Sequence, residues 1–404
     1  MGPHHKSIAA LRRIGQRRAQ FTTTYPDPGG SDVKVKAAIL TGAGEDWQTA
    51  TLELDPPKAG EVLVRVEYAG LCRSDEHRRH GNPEGRYPLV GGHEGSGIVE
   101  AVGDGVTRLQ PGDHVILSVL PQCGMCQFCT TGRSRMCDLA AHVPTGAMPD
   151  GTFRARLDGE YLGGFCMLGT FADHVVVTQA SCVKIEPWFP LDVAALLSCG
   201  VPTGWGSAVY VGEVQPGETV VVVGVGGVGI NAVQGARSAG ASHIIAVDPV
   251  VMKRDFAMEL GATHVAATAE EGAELARRLS RGTGADVVIV TVGVLTSEIT
   301  SSALEMVGKG GRLVLTATAD DSADINVQVP GNRVTFYNIS VRGALLGGCN
   351  SQYDVPRLAR LYDEGLLKLD ELITKRYSVD QVGLAYRDVV DGRVVRGVIE
   401  HVHG

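Results

Sequence analysis

One stretch restricts the fold more than any other: ETVVVVGVGGVGINAVQGARSAG, residues 218–240. A continuous run of β-branched residues leads into GVGGVG, Gly224 to Gly229. Val228, Ala232, Val233 and Ala236 then recur at helical spacing, and Gly240 is a stop signal. An apolar run without alternation is a strand buried on both faces. The glycines fit G-x-G-x-x-G at Gly224, Gly226 and Gly229, with Gly227 and Val228 in the variable places. Glycine permits the tight turn and lets the backbone approach a pyrophosphate at the start of the helix. The next apolar run, HIIAVD, ends in Asp248, 19 residues after Gly229. A carboxylate there accepts hydrogen bonds from ribose hydroxyls and repels a 2′-phosphate, which favours NAD over NADP. Lys253 lies either near the same ribose or in solvent. ADVVIVTVG, GGRLVLTAT and ISVRGALLGG continue the alternation of strand with helix. The expected fold class is therefore α/β, with a doubly wound parallel sheet.

The sequence before this region has another style. KVKAAIL, TLELD, EVLVRVEYAG and LQPGDHVIL are short apolar or alternating runs between Gly, Pro and Asp, which predict a β-rich part. Residues 138–169, with PTGAMPDGT and LDGEYLGG, are expected to be loop-rich. After Gly348, VPRLARLYDEGLL predicts an amphipathic helix and VVRGVIEHV a closing strand. The domain boundaries expected are 1–33 for a disordered N-terminal extension, 34–201 with 345–404 for the β-rich part, and 202–344 for the dinucleotide-binding part.

Four of the nine cysteines crowd into QCGMCQFCTTGRSRMCD as Cys123, Cys126, Cys129 and Cys137. Four thiolates with no open position suit tetrahedral structural zinc. The bacterial iron–sulfur run needs three residues before its last cysteine and a proline after it; here the gap is seven and Asp138 follows. Disulfides are a poor account in a reducing compartment. The cytoplasm is the compartment expected, because the basic leader (Lys6, Arg12, Arg13, Arg17, Arg18) lacks the apolar segment of a secretory or twin-arginine signal. That leader reads as a frayed terminus, a start codon placed too early, or an Arg-rich transit peptide. A formal net charge of −8 argues against nucleic-acid affinity, and no apolar run reaches the ~18 residues that a membrane-spanning helix needs. Cys166, Cys182 and Cys349 are read as small buried hydrophobes.

A second set of chemically capable residues is dispersed: Cys72, Asp75 and His77 in GLCRSDEH, His93 and Glu94 in GGHEGSG, and Cys199 in LLSCGVPTGWGSAV. Spacing alone does not join them. GHEGSGIVEAVGDGV, however, fits G-H-E-x2-G-x5-G-x2-V at Gly92, His93, Glu94, Gly97, Gly103 and Val106. With the glycine turn and the cysteine run, the chain from about Lys34 to His403 resembles the zinc-dependent medium-chain alcohol dehydrogenases. LDPPKAGEVLVRV, GWGSAVYVGEVQPG and LKLDELIT are most similar to the nitrosoaniline (NDMA)-dependent nicotinoprotein branch, whose reoxidation is linked to mycofactocin.

The resemblance implies a GroES-like catalytic domain joined to a Rossmann domain, and oxidation of alcohols by hydride transfer to NAD. It implies two zinc ions per chain. Cys72, His93 and Cys199 would hold the catalytic one, with Glu94 close behind the metal as an exchanging ligand or a buried structural carboxylate. Asp75 would orient the His93 imidazole, and Ser74 and His77 would relay the proton. Arg73 and Arg396 would meet the pyrophosphate, while Thr203, Val228 and Val292 would lie near the nicotinamide. The NAD would be tightly held and reoxidised by an external acceptor. The rival readings are a glutathione- or mycothiol-dependent formaldehyde dehydrogenase with exchangeable NAD, an aldehyde dismutase, and a zinc-less NAD-sensing relative. Val119, where the family often carries an aromatic wall, hints at room for alcohols larger than methanol. A homo-oligomer is expected; the particular alcohol is not readable.

Overall fold

The computed structural model describes residues 33–403, apart from Pro83 and residues 319–328. The basic leader lies outside the described residues. The strands fall into three sheets. Val33–Leu40, Gln48–Leu54, Ala155–Leu157, Glu160–Gly164 and Leu89–Val90 close into a small barrel. The last two of the long runs predicted in the β-rich part join a larger sheet. There Glu61–Gly70 lies between Glu94–Val102 and the closing strand Arg396–Glu400. The closing strand therefore pairs with the early part of the chain, so the β-rich part is assembled from both ends of the sequence.

The third sheet holds six parallel strands from Thr219–Val223 to Ser340–Gly343. Numbered from Thr219–Val223, their spatial order is 3-2-1-4-5-6, a doubly wound arrangement with its crevice beside the first strand. Val220, Val221 and Val222 have no solvent exposure, because helices cover both faces. Each such side chain contributes about 1.5–3 kcal/mol by burial, which a polar replacement would forfeit.

Two helices approach closely beside the crevice. A Cβ on Gly204, in the helix Gly200–Gly206, would stand 2.0 Å from the Val228 carbonyl oxygen, at the start of the helix Gly229–Ser238. Only glycine permits that contact, and it brings the segment after Cys199 against the glycine turn.

Residues 138–169 are less irregular than expected. LDGEYLGG forms a hairpin, Ala155–Leu157 paired antiparallel with Glu160–Gly164. Its turn places Asp158 at φ 51 and Gly159 at φ 82, the left-handed pair that an Asp-Gly hairpin favours. The helix after Gly348 begins at Ser351, before the apolar pattern starts, and carries Pro356 inside it. No helix among the described residues is long and apolar enough to cross a membrane.

Candidate active site

Strand pairing brings the dispersed residues together. Gly70 pairs with Glu94, so Cys72, two residues past the first strand, meets His93, just before the second. Cys199 precedes the helix that packs on the glycine turn. One donor atom from each of Cys72, His93, Glu94 and Cys199 lies within 4.8 Å of the others.

The surroundings fix how each donor faces. His93 Nδ1 is 3.0 Å from Asp75 Oδ2, and the Gly92 N–H donates to Asp75 Oδ1 at 2.9 Å. Both side chains are buried. His93 Nε2 is left buried and without a hydrogen-bond partner, facing the thiols. The ring edge of Phe165 meets His93 at a centroid distance of 5.2 Å. Cys72 and Cys199 share a sulfur contact that holds the Cys72 thiol well below its usual range and pushes Cys199 well above it. Glu94 accepts from the Gly200 N–H at 3.2 Å and pairs with the buried Arg396 guanidinium. Burial raises its pKa to about 7 against the pull of Arg396.

This donor set fits zinc. Two thiols, one imidazole and a nearby carboxylate converge on one point, and an orphaned buried nitrogen has no other claim on it. The four-cysteine run fits a second zinc. Its sulfurs also lie within 4.8 Å of one another. Backbone N–H groups point at them: Cys126 N to Cys123 Sγ at 3.3 Å, Met125 N to Cys123 Sγ at 3.4 Å and Cys123 N to Cys137 Sγ at 3.4 Å. Such donors favour thiolate, and backbone bonds from Asp138 and Cys129 bring Cys126 down to about 6. All nine cysteines are free.

A cleft of about 600 Å³ runs from Cys72 along the glycine turn. It is lined by Arg73, Ser74, His77, Gly224, Gly226, Gly227, Val228, Asp248, Lys253, Val292 and Arg396, all anticipated from the sequence. Thr203 and Gly229 are not among the lining residues. Thr203 is buried in its helix, with its carbonyl accepting from the Ser207 hydroxyl at 2.6 Å. Gly229 instead packs under the turn, where a Cβ would stand 1.9 Å from the Gly224 oxygen. Asp248 also braces the backbone. Its two carboxylate oxygens accept the N–H groups of Val225 at 3.1 Å and Val250 at 2.9 Å, which ties the glycine turn to the next loop. Ser74 Oγ is 3.6 Å from Cys72 Sγ. Burial, then the Arg73 charge, holds His77 below the usual imidazole range, so it is neutral at pH 7.

Sequence reasoning missed Phe165, Thr291, Val394 and Val395. Only Phe165 carried a signal, an aromatic residue inside the loop-rich segment; the others are small side chains whose position depends on the sheet.

Residues 58–187 match the alcohol dehydrogenase GroES-like domain family, and residues 227–364 match the zinc-binding dehydrogenase family. An NDMA-dependent alcohol dehydrogenase from Amycolatopsis methanolica is 49% identical over 369 residues, covering 91% of this chain and 99% of its own. S-(hydroxymethyl)glutathione dehydrogenase from Saccharomyces cerevisiae is 37% identical, covering 92% and 97%. The crystal structure of an alcohol dehydrogenase zinc-binding domain protein from Burkholderia ambifaria superposes with a TM-score of 0.86 at 30% identity, covering 92% and 100%.

Proposed function

The chain belongs to the zinc-dependent medium-chain alcohol dehydrogenases, and from that premise we propose that it oxidises alcohols with an NAD that stays bound between turnovers and is reoxidised by an external acceptor. It is an oxidoreductase that uses zinc and NAD. The observation that carries the site assignment is the meeting of Cys72, His93 and Cys199 at the inner end of the cleft that the glycine turn lines. Those three hold the catalytic zinc, and Cys123, Cys126, Cys129 and Cys137 hold the structural one. When bound, zinc supplies Lewis acidity that acidifies an alcohol hydroxyl, and NAD supplies the hydride acceptor.

The protein's own groups do the rest. Asp75 fixes the His93 ring so that Nε2 faces the thiols. Ser74, exposed in the cleft beside Cys72, takes up the substrate proton at Oγ as it gives its own hydroxyl proton onward towards His77. His77, neutral and half-buried, returns it to water. Arg73, on the exposed side of the cleft, meets the pyrophosphate. The glycine turn brings backbone N–H groups to the same anion, and Asp248 and Lys253 meet the adenosine ribose. Val292 and Val228 form an apolar wall that keeps water from the reacting carbon.

The bound-cofactor reading is supported by the 49% identical relative being NDMA-dependent. Mycofactocin is the natural acceptor we expect. The yeast relative keeps a second reading in view, a thiol-adduct dehydrogenase with exchangeable NAD, but it is less similar. The cytoplasm is the compartment we expect. The deciding experiment is to purify the protein without added cofactor, desalt it, denature it and count released dinucleotide. One per chain is expected. None would make free NAD the acceptor and restore the second reading.

A further inference from the structure

Asp75 is fully buried and carries the orientation of His93, yet few donors reach it. A carboxylate offers about four lone-pair sites. The Gly92 N–H takes one and His93 Nδ1 faces another, while Oδ2 meets no further donor within strict hydrogen-bond geometry. Oδ2 therefore has room for a further donor.

Directly against it stands a second unsatisfied group. Tyr386, on the helix Val382–Val390, is 2% exposed, and its hydroxyl has no hydrogen-bond partner in the same strict sense. Its ring is fixed: it stacks on Trp47 at 5.6 Å and 18°, and packs at 6.2 Å from Phe171. These rings share a core with Leu71, the residue before Cys72. Gly91 is part of the same fit, since a Cβ there would stand 2.2 Å from Trp47. Burial, then the Asp75 charge, pushes the Tyr386 phenol well above its usual range. The phenol thus keeps its proton and has one buried acceptor in reach.

We propose that Tyr386 is a positioning residue for the catalytic metal: its hydroxyl donates to the Asp75 carboxylate, which orients the His93 ring. The inference rests on the reading of Cys72, His93 and Cys199 as zinc ligands. The aromatic stack on Trp47 and Phe171 holds the ring that carries this hydroxyl in place. Groups that orient metal ligands typically affect metal affinity 10- to 100-fold, and Tyr386 lies one hydrogen bond further out than Asp75, so the low end is expected.

The test uses the full-length holoprotein with both zinc ions and a chelator whose zinc complex absorbs. Tyr386→Phe keeps the ring stack and removes only the hydroxyl. It should release one of the two zinc ions about tenfold faster than wild type, with the other released at the wild-type rate. The visible spectrum of the cobalt-substituted catalytic site should shift. Tyr377→Phe is the control, because it deletes another buried hydroxyl, bonded to Asp388 at 2.8 Å, and should change neither readout. Release of both ions at wild-type rates from Tyr386→Phe, with a higher melting temperature from losing an unpaired hydroxyl, would overturn the proposal. Equal acceleration by Tyr377→Phe would overturn it as well, by showing general loosening. Wild-type protein that carries only one zinc would instead refute the ligand reading, and the Tyr386 role with it.

Discussion

Cys199 reaches the cluster of Cys72, His93 and Glu94 from the start of the helix that packs on the glycine turn, whereas Cys72 and His93 flank paired strands, so the proposed ligands can be tested one at a time. Cys199→Ala should abolish alcohol oxidation and lower zinc to one per chain, leaving the Cys123 zinc in place. Metal analysis with turnover assays checks this, and full activity in the variant would refute the assignment. His77 gives a pH signature. Its pKa lies below the ordinary imidazole value, so the wild-type residue accepts protons at neutral pH. Without it the acid limb should move upward, and His77→Ala should be slowed by roughly 100-fold at neutral and low pH but less at high pH. A uniform loss at every pH would remove the relay role. At this scale legibility is uneven. His93 can be named because a signature carries it, whereas Cys72 and Cys199 are named only by family resemblance. Spacing does not reveal that Arg396 is buried against Glu94, nor that Asp248 spends both oxygens on backbone N–H groups, because those partners lie hundreds of residues away or belong to the main chain. Likeness alone assigns Thr203 to the cleft, and the turn of its helix hides it.

The cysteine lobe is fastened to the return segment that leads into the helix Ser351–Asp363. Asn350 Oδ1 accepts from the Ser134 hydroxyl at 2.9 Å, and Asn350 Nδ2 donates to the Gly132 carbonyl at 2.9 Å. Arg135 reaches the Gly348 carbonyl at 3.2 Å. Cys123→Ala should therefore lower the thermal midpoint and loosen this segment as well as the lobe. Asn350→Ala, which keeps the zinc, should cost about 1–3 kcal/mol from unpaired partners; calorimetry of the pair separates metal from clamp. At the edge of the dinucleotide sheet, Ser340–Gly343 pairs on one side only among the described residues, and Val341 is 39% exposed. An open edge with an exposed valine can pair with a second copy, the site we expect for a homo-oligomer. Val341→Lys should reduce the oligomer in light scattering, and an unchanged mass would place the interface elsewhere. Most long elements are legible because their apolar period is strong. The Asp158–Gly159 hairpin is not, since its strands of three and five residues are too short to show alternation.

Across the molecule, the alternation of strand and helix reveals the parallel sheet, while the spatial order of the β-rich strands depends on pairings that no local pattern announces. One consequence is thermodynamic. His401, beside the closing strand, is 6% exposed, with Nε2 3.0 Å from the Thr170 carbonyl oxygen. Burial brings its pKa to about 4, with His403 and His174 opposing its charge and Asp173 favouring it. The unfolded imidazole titrates near 6.5, so between those values the unfolded chain binds the extra proton. Stability from this group is complete above pH ~6.5 and is lost towards pH ~4, about 3 kcal/mol in all. Urea unfolding of His401→Gln across that range should show a flatter acid slope than wild type; equal slopes would assign the loss to other groups. A further consequence follows from the closing strand, which pairs Val398 with Gly70 and carries Arg396 to Glu94. A ribosome makes Cys72, His93 and Cys199 long before it makes Tyr386 and Arg396. The nascent chain therefore carries Cys72, His93 and Cys199 well before Arg396 exists to pair with Glu94, and that buried pair forms only once the last strand has docked.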